Sequence, residues 1–282
     1  MHDYAAERML APVTSVGIIG ASGFTGAELL RLCAGHPEFD VRLATGDSQA
    51  GSRVGDLYPS LVAAYPGLAF EKFDPDRCDG LDLVFLGLPH GASQEVGPEL
   101  AGRVGAIVDL AADFRLRDAG LYPTWYGEEH AHPELLGDFV YGLLDHRHTP
   151  EIEQSLSRVA GAEVQVLFTP HLAPMNRGIL ATCYARPTTA GLTTDDVLAA
   201  VRDAWAGEPF MVVTDGSPGT KATLGANSVH VTARADARTG WVVAIAALDN
   251  LVKGASGQAV QCANLALGLP ETAGLTAVGV YP

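Results

Sequence analysis

Three glycines near the amino terminus have the spacing of a turn that could hold a dinucleotide. Gly20, Gly23 and Gly26 lie between an apolar run, SVGIIG, and a segment with helical spacing, AELLRLCA. Glycine lets the backbone approach a pyrophosphate, and the amino terminus of the next helix offers N–H groups to its charge. A plain tight turn is the alternative, because GxxGxxG is less common than GxGxxG, but the strand-to-helix position favours the nucleotide. The residues expected to contact the cofactor here are Gly20, Ser22, Gly23, Phe24, Thr25 and Gly26.

The segment after the second predicted strand should select between the two nicotinamide dinucleotides. An acidic residue there binds the ribose 2′-hydroxyl of NAD, whereas basic and hydroxyl side chains accommodate the 2′-phosphate of NADP. Asp47 favours NAD, and a solvated loop without a binding role is a further alternative. The residues that favour the 2′-phosphate are Thr45, Ser48, Ser52 and Arg53. The sequence therefore predicts NADP(H) as the cofactor.

Further polar side chains follow two other predicted strands, at the edge where ligands collect in open α/β sheets. The string GLPHG follows the third strand and contains His90, which could bind a ligand or only shape its loop. The string DLAADFR ends the fourth strand with Asp109 and Arg115, for which a surface ion pair is the alternative.

Histidine and arginine side chains form a second group of candidates in the later part of the chain. His146 and His148 could supply an acid/base group near neutral pH, although a structural histidine pair is an equal alternative. His171 and Arg177 lie at another predicted strand end. Asn250 and Lys253, which precede the last helical segment, could face a nucleotide or cap that helix.

The pattern of apolar residues predicts two kinds of sheet. Strands alternate with helices in the first half, which is typical of a parallel sheet covered on both faces. From about Glu163 strands follow one another with one helix at 194–205, which predicts a mixed or antiparallel sheet in a second domain. The predicted strands are 15–20, 41–44, 81–86 and 106–110, then 164–169, 181–185, 211–214, 228–233 and 241–247, with a last helix at 254–267.

Composition excludes several classes of function. The 282 residues are 48% hydrophobic and 18% charged, with a net charge of -15, so the chain should repel nucleic acid and anionic membranes. No apolar run reaches the ~20 residues needed to span a bilayer, and no signal peptide is evident. Four distant cysteines show neither disulfide nor zinc spacing, so we expect a cytoplasmic protein without a metal.

Seven segments in this order resemble N-acetyl-gamma-glutamyl-phosphate reductase, a family of arginine biosynthesis. They are GASGFTGAELL, LGLPHGAS, DLAADFRL, WYGEEH, HRHTPEIEQ, FTPHLAPMNRGILAT and DNLVKGASGQAVQ, and the resemblance covers nearly all of residues 16–282. It implies NADPH-dependent reduction of an acyl phosphate to a semialdehyde with release of phosphate. It also implies an α/β fold, with a Rossmann-type doubly wound parallel sheet and a second α+β domain, and a homo-oligomer.

The resemblance also assigns domains and roles to this chain. The dinucleotide-binding domain would be 1–142, completed by helix 254–268 and the tail to 282, and the substrate and oligomerisation domain would be 143–253. His148 would be the catalytic histidine with His146 beside it, and Arg115, Arg177 and His171 would bind the substrate. The cofactor pocket would be completed by Leu88, Pro89, His90, Asn250 and Lys253.

The chain departs from the family's pattern at the catalytic cysteine. The family carries a Pro-Gly-Cys motif and further elements between two similar strings, whereas here the string YGL at 141–143 runs within three residues into His146. We therefore expect an internal deletion that removed the thiol whose thiolate attacks the acyl phosphate. Cys183 is the one remaining cysteine that we expect could face a cavity, and we expect impaired activity. The alternatives are a non-catalytic NADP-binding protein and a related aminoadipyl-phosphate or aspartyl-phosphate semialdehyde dehydrogenase.

Overall fold

The chain divides into two units, each with its own sheet. The computed structural model describes residues 13–140 and 149–281. One unit is Met1–Tyr141 with Cys262–Leu269, and the other is Gly142–Gln261 with Pro270–Pro282. The tail after Leu269 therefore falls in the second unit, whereas the sequence placed it with the first. Within the described ranges, none of the helices combines the length and the hydropathy needed to cross a bilayer.

The first unit contains a four-stranded parallel sheet with the order β2-β1-β3-β4. All four residues of β3 and five of the six residues of β1 are buried, as the apolar runs predict for a sheet covered on both faces. This sheet confirms the predicted Rossmann-type fold. The strands are β1 (Thr14–Ile19), β2 (Phe39–Ala44), β3 (Leu83–Leu86) and β4 (Ile107–Asp109).

Helices connect these strands and bury their apolar faces on the sheet. The turn after β1 leads into α1, whose buried residues include Leu29, Leu30 and Cys33. A second core cluster joins Leu86 of β3 to Leu100, at the end of the helix that precedes β4. The helices are α1 (Phe24–Ala34), α2 (Val54–Leu57), α3 (Ser93–Leu100) and α4 (Tyr122–Trp125).

The turns after β1 and β3 approach each other closely. Ile19 pairs with Leu86, and the Gly87 N–H donates to the Ile19 carbonyl at 2.8 Å. Gly20 has a φ of 85°, and a Cβ atom there would lie 2.5 Å from the Gly87 carbonyl oxygen. Glycine is therefore required at residue 20 both by the backbone conformation and by the available space.

The second unit contains a mixed sheet with the order β5-β8-β7-β6. β8 is antiparallel to both β5 and β7, and β6 is parallel to β7, in agreement with the predicted mixed sheet. A π-helical turn, Val252–Ser256, leads into the last helix. The elements are α5 (Thr149–Ala160), β5 (Ile179–Ala185), α6 (Thr194–Ala204), β6 (Met211–Val213), β7 (Val229–Asp236) and β8 (Trp241–Leu248), followed by α7 (Gly257–Ala266), whose residues from Cys262 onward belong to the first unit.

The segment 164–169 was predicted as a strand and is not one. Two of its backbone donors bond to side chains of α5: the Val164 N–H donates to Ser157 Oγ at 2.9 Å and the Val166 N–H donates to Glu153 Oε1 at 2.8 Å. Leu167 is fully exposed in this arrangement. Apolar composition alone was misleading here, since a run of six residues needs a neighbouring strand before it becomes part of a sheet.

Strand β5 lies at the edge of the second sheet with most of its surface exposed. Six of its seven residues are exposed, among them Leu180 and Tyr184, and within the described ranges it pairs with β8 alone. An edge strand with apolar side chains in water is a template for further pairing.

We expect substitution of Gly20 by alanine to cost more stability than the same change at Gly80. Both glycines have positive φ, so both variants suffer a strain of about 1–2 kcal/mol, but a Cβ at Gly80 would meet no atom within 4 Å. Gly20→Ala must in addition displace the end of β3, which adds at least ~1 kcal/mol. Urea unfolding of the two variants measures the difference, and equal losses would contradict the close approach described above.

Candidate functional site

The glycine turn leaves the first turn of α1 open to an anion. Gly23 is the N-cap of α1, and neither a capping side chain nor an acidic residue lies in the first helical turn. At Gly26 a Cβ atom would lie 2.4 Å from both the Ala21 Cα and the Gly20 carbonyl oxygen, so any larger residue would push the helix away from the turn. At Gly23 the nearest atom would be 3.6 Å away, so space does not require glycine there. Such an uncapped helix start fits a diphosphate.

The loop after β2 packs directly on this turn. The Gly20 N–H donates to Thr45 Oγ1 at 3.1 Å, and Thr45 is buried. A Cβ at Gly46 would lie 2.7 Å from Ser22 Oγ, so glycine is what lets the two loops meet. Thr45 therefore supports the turn, while Ser48 and Arg53 are exposed and Ser52 is half-buried. These three remain available to a ligand phosphate.

The loop after β3 is held by a buried carboxylate. Asp113 is fully buried and accepts hydrogen bonds from the Gly91 N–H at 2.8 Å and the Ser93 N–H at 3.0 Å. The His90 Nδ1 lies 2.7 Å from Asp113 Oδ1, and its ring contacts Tyr126 in a tilted arrangement with centroids 4.5 Å apart and an interplanar angle of 30°. On the other side, His90 Nε2 lies 3.6 Å from Glu128 Oε1. His90 is thus oriented by its neighbours, with one ring edge on the exposed side of the loop.

Leu88 and Pro89 lie between the glycine turn and His90. The Leu88 Cδ2 is the third-nearest atom, at 3.4 Å, to a Cβ built on Gly20, so Leu88 packs against the turn. Pro89 is exposed. The structure therefore brings Gly20, Thr45 and Leu88 together at the carboxyl edge of the parallel sheet.

Asp109, at the end of β4, is a buried carboxyl group with one oxygen unpaired. Its Oδ1 accepts from Ser93 Oγ and from the Ala111 N–H, both at 2.9 Å, while its buried Oδ2 has no hydrogen-bond partner. Burial raises the pKa of Asp109 to about 6, against the opposing effect of those two hydrogen bonds. Asp109 therefore titrates just below neutral pH, beside the loop that carries His90.

Arg115 is directed at its own loop. Its Nε donates to the Ala111 carbonyl at 3.0 Å and its Nη2 donates to the Leu110 carbonyl at 2.8 Å. These bonds fix the guanidinium against the end of β4. A role of Arg115 in substrate binding stays a prediction.

In the second unit, Asp249 gathers the donors around Arg177. Arg177 Nε donates to Asp249 Oδ1 at 2.7 Å, and the N–H groups of Gly225, Leu251 and Val252 donate to the same carboxylate. Burial raises the pKa of Asp249, but the bond from Arg177 and the three backbone bonds outweigh it, so the net pKa is lowered. Asn250 Oδ1 accepts from the Gly178 N–H at 2.7 Å. The structure thus brings Arg177 and Asn250 into one cluster.

Lys253 and His171 are placed differently from that cluster. Lys253 is buried, its Nζ donates to Gln261 Oε1 at 2.7 Å, and it lies 5.1 Å from the Phe210 ring centroid. His171 is exposed, with Nδ1 3.1 Å from the Thr169 carbonyl oxygen. The two predicted catalytic residues, His146 and His148, lie outside the described residues.

Two aspartates and one tyrosine at these sites were not predicted. Asp113 and Asp249 organise the loops around His90 and Arg177, and Tyr58 OH donates to the Ser22 carbonyl at 2.6 Å. Asp113 stood inside the quoted string DLAADFR, but its partner, the Gly91 N–H, lies 22 residues away. Tyr58 gave no sequence signal, because its partner lies 36 residues away.

Models of two protein families match the chain. Residues 15–155 match the NAD binding domain of semialdehyde dehydrogenase, and residues 126–250 match the semialdehyde dehydrogenase dimerisation domain. The aspartate semialdehyde dehydrogenase II of Vibrio cholerae has a similar structure, with a TM-score of 0.63, 14% identity, and coverage of 92% of this chain and 99% of that chain. Aspartate semialdehyde dehydrogenase with NADP from Candida albicans has a TM-score of 0.60 at 14% identity and covers 90% of this chain and 98% of that chain. These two structures share the fold.

Curated relatives are similar over almost their whole length. The N-acetyl-gamma-glutamyl-phosphate reductase of Acidothermus cellulolyticus is 40% identical over 342 aligned positions, which cover 95% of this chain and 99% of that protein. The Streptomyces coelicolor enzyme of the same name is 39% identical and covers 94% of this chain and 98% of that protein. Because 342 positions exceed the 282 residues of this chain by 60, at least that many positions of the first alignment have no residue of this chain.

We expect Asp109→Asn to remove the effect of pH on stability at this site. With a folded pKa of about 6 and an ordinary value of 3.8, the neutral acid favours folding below about pH 4, and this contribution is lost as the pH rises through 6. The loss is about 3 kcal/mol by pH 7.5, and the asparagine variant should not suffer it. Urea unfolding at pH 4.5 and pH 7.5 should therefore show that the free energy of unfolding of Asp109→Asn increases relative to that of the parent chain as the pH rises.

Asp82→Asn is the matched control with the opposite sign. Hydrogen bonds from the Ser15 side chain and backbone lower the pKa of Asp82, so its stabilising effect is present at neutral pH and is lost at low pH. The free energy of unfolding of this variant should therefore fall relative to that of the parent chain as the pH rises. A pH-independent difference between Asp109→Asn and the parent chain would contradict a buried, titrating Asp109.

Proposed function

The chain belongs to the N-acetyl-gamma-glutamyl-phosphate reductase family, and from that premise we propose that it binds NADPH at the glycine turn but has lost most of the family's reductase activity. The family consists of NADP-dependent oxidoreductases that reduce an acyl phosphate to a semialdehyde. One observation carries the proposal of cofactor binding: the turn at Gly20 and Gly26 has no room for side chains and leads into a helix without a cap. That arrangement is suited to a diphosphate.

The residues of the first unit fit the parts of the cofactor. The backbone from Ser22 to Gly26 would hold the diphosphate, and Ser48, Ser52 and Arg53 are exposed enough to receive the 2′-phosphate. Thr45 would act through the turn that it supports. Leu88 to His90, at the edge of β3, would face the nicotinamide side. When bound, NADPH supplies the hydride for reduction of an activated acyl group.

Asn250, Lys253, Arg177, His171 and Arg115 remain proposed ligands of the cofactor or substrate. The contacts of two of them, Arg177 and Lys253, favour a supporting role. Arg177 is paired with Asp249, and a buried Arg–carboxylate pair would hold the loop at Gly178 in place. Lys253 is enclosed by Gln261 and Phe210. We propose that Arg177 orders the loop beside the substrate and that Lys253 stabilises the second unit.

The impairment follows from the positions of the four cysteines. The family's reaction needs a thiolate, and burial raises the pKa of Cys33 to about 12 and also raises the pKa of Cys78. Cys262 lies half-buried in α7, and Cys183 is exposed on β5. None of the four lies in the motif that carries the family's nucleophile. The 60 or more alignment positions without a counterpart support an internal deletion between residues 140 and 146.

A non-catalytic NADP-binding protein is the second candidate function, and the absence of the Pro-Gly-Cys motif favours it. The two candidates differ in turnover and agree on cofactor binding. We further propose a homo-oligomer built through the second unit, which the match to a dimerisation domain and the exposed β5 support. A small acyl phosphate as substrate, no role in nucleic-acid binding and a cytoplasmic location remain predictions.

We expect Arg53→Ala to weaken NADPH binding about tenfold and to leave NADH binding unchanged. The variant removes a cation that would face the 2′-phosphate, which only NADPH carries, and tenfold in Kd corresponds to ~1.4 kcal/mol. Titration of nucleotide fluorescence measures both constants. Arg42→Ala is the matched control, because Arg42 is an exposed arginine on β2 that pairs with Asp40. Equal losses for the two nucleotides would argue against a 2′-phosphate site at Arg53.

We expect the purified chain to bind NADPH without measurable reduction of N-acetyl-gamma-glutamyl phosphate. The assay runs in the reverse direction, with N-acetylglutamate semialdehyde, phosphate and NADP, and follows NADPH absorbance. Cys183→Ser tests the one exposed cysteine and should leave any residual rate unchanged. Turnover at the rate of the Streptomyces coelicolor relative would overturn the proposed impairment, whereas a failure to bind NADPH would overturn the cofactor assignment.

A further inference from the structure

Tyr58 connects the two parts of the proposed cofactor site. It lies where α2 ends, in the connection between β2 and β3, and its hydroxyl reaches back to the glycine turn. Tyr58 OH donates to the Ser22 carbonyl at 2.6 Å and lies 3.4 Å from the Gly23 carbonyl oxygen. These two residues immediately precede the first turn of α1. Burial raises the pKa of Tyr58, so the hydroxyl keeps its proton at neutral pH and acts as a donor.

The ring of Tyr58 contacts the residue that holds the loop after β2. It meets Phe70 edge-on, with centroids 6.5 Å apart and an interplanar angle of 80°. Phe70 is buried, its carbonyl accepts from the Gly51 N–H at 2.7 Å, and its N–H donates to the Ser52 carbonyl at 2.8 Å. A Cβ at Gly46 would also lie 3.4 Å from the Phe70 ring. Phe70 therefore fixes the backbone of the segment 46–52.

We propose that Tyr58 is a positioning residue that couples the diphosphate turn to the 2′-phosphate loop and thereby contributes to the preference for NADPH over NADH. The inference rests on the proposed cofactor site. The hydroxyl fixes the orientation of the Ser22–Gly23 peptide, on which the direction of the N–H groups at the start of α1 depends. The ring fixes the loop of Ser48, Ser52 and Arg53 at a set distance from that turn through Phe70. Both phosphate sites are then preorganised relative to each other, which lowers the cost of binding a ligand that needs both.

Tyr65 provides a matched control within the same segment. Its hydroxyl donates to the Leu30 carbonyl at 2.8 Å, so it also joins the connection after β2 to a backbone oxygen of α1. Both tyrosines are half-buried. Leu30 lies in the middle of α1, seven residues beyond Gly23. Within residues 13–140, the Tyr65 hydroxyl makes no hydrogen bond to the glycine turn. Replacement of each tyrosine by phenylalanine removes the same kind of hydrogen bond, at one position beside the proposed site and at the other away from it.

The test compares Kd values of NADPH and NADH for the parent chain, Tyr58→Phe and Tyr65→Phe, with a thermal melt of each. We expect similar small falls in Tm for both variants. Tyr58→Phe should raise the Kd of NADPH about tenfold and that of NADH less than threefold, while Tyr65→Phe should leave both within twofold. An unchanged NADPH Kd in Tyr58→Phe, or an equal rise for both nucleotides, would overturn the coupling.

A second variant guards against loss of folding in Tyr58→Phe. Phe70→Leu keeps the tyrosine hydroxyl but removes the ring contact, and it should also reduce the ratio of NADH to NADPH dissociation constants. Retention of the full ratio in Phe70→Leu would overturn the proposed link through Phe70. Nucleotide binding by the parent chain distinguishes a failure of the proposed cofactor site from a failure of the proposed role of Tyr58. If it binds neither nucleotide, the cofactor site itself is wrong and the role of Tyr58 falls with it; if it binds NADPH normally, only the variants decide the role of Tyr58.

Discussion

The close approach of the turn at Gly20 to the Gly87 carbonyl is the constraint on which the proposed cofactor site depends. Two parallel strands end side by side, and the backbone of one turn occupies the space in which a side chain of the other would lie. That contact fixes the turn that leads into α1, and the N-cap residue Gly23 has no side chain to cap the helix. Thr45, Gly46 and Tyr58 then hold the turn from the side of β2, and Leu88 holds it from the side of β3. In the proposed site, Thr45, Gly46 and Tyr58 would therefore act on the cofactor through the turn.

Buried carboxylates play the corresponding part in the other loops. Asp113 collects two backbone N–H groups and the ring of His90, and Asp249 collects three N–H groups and Arg177. A carboxylate that accepts several donors can fix an irregular loop, because each bond to it is stronger than one between neutral groups. Asp109 differs from both, since one of its oxygens is unpaired and its pKa is raised to about 6. In the first unit, the loop held by Asp113 therefore lies beside one group whose charge changes near neutral pH.

The sequence predicted those features that depend on local periodicity. The unit from β1 through α1 to β2 is recognisable because an apolar run, glycine spacing and helical spacing follow one another between Thr14 and Ala44. The prediction of a strand at 164–169 was wrong because the same apolar pattern can lie against a helix such as α5, which the sequence analysis did not predict. Tyr58 and Asp113 could not be assigned, since their hydrogen bonds span 36 and 22 residues and depend on how the strands are ordered. Long-range partners follow from the fold, and periodicity does not report them.

The uncovered edge at β5 has a consequence for the chain when it is alone in solution. Among the described residues β5 pairs with β8 alone, so its other edge can accept a new strand, and Leu180 and Tyr184 offer apolar surface beside it. A symmetric copy that docks there ends the growth after one addition, whereas an offset copy leaves a fresh edge and lets it continue. The seven residues of β5 can therefore take part in either a closed assembly or an open-ended fibre. The orientation in which two copies pair determines which of the two forms.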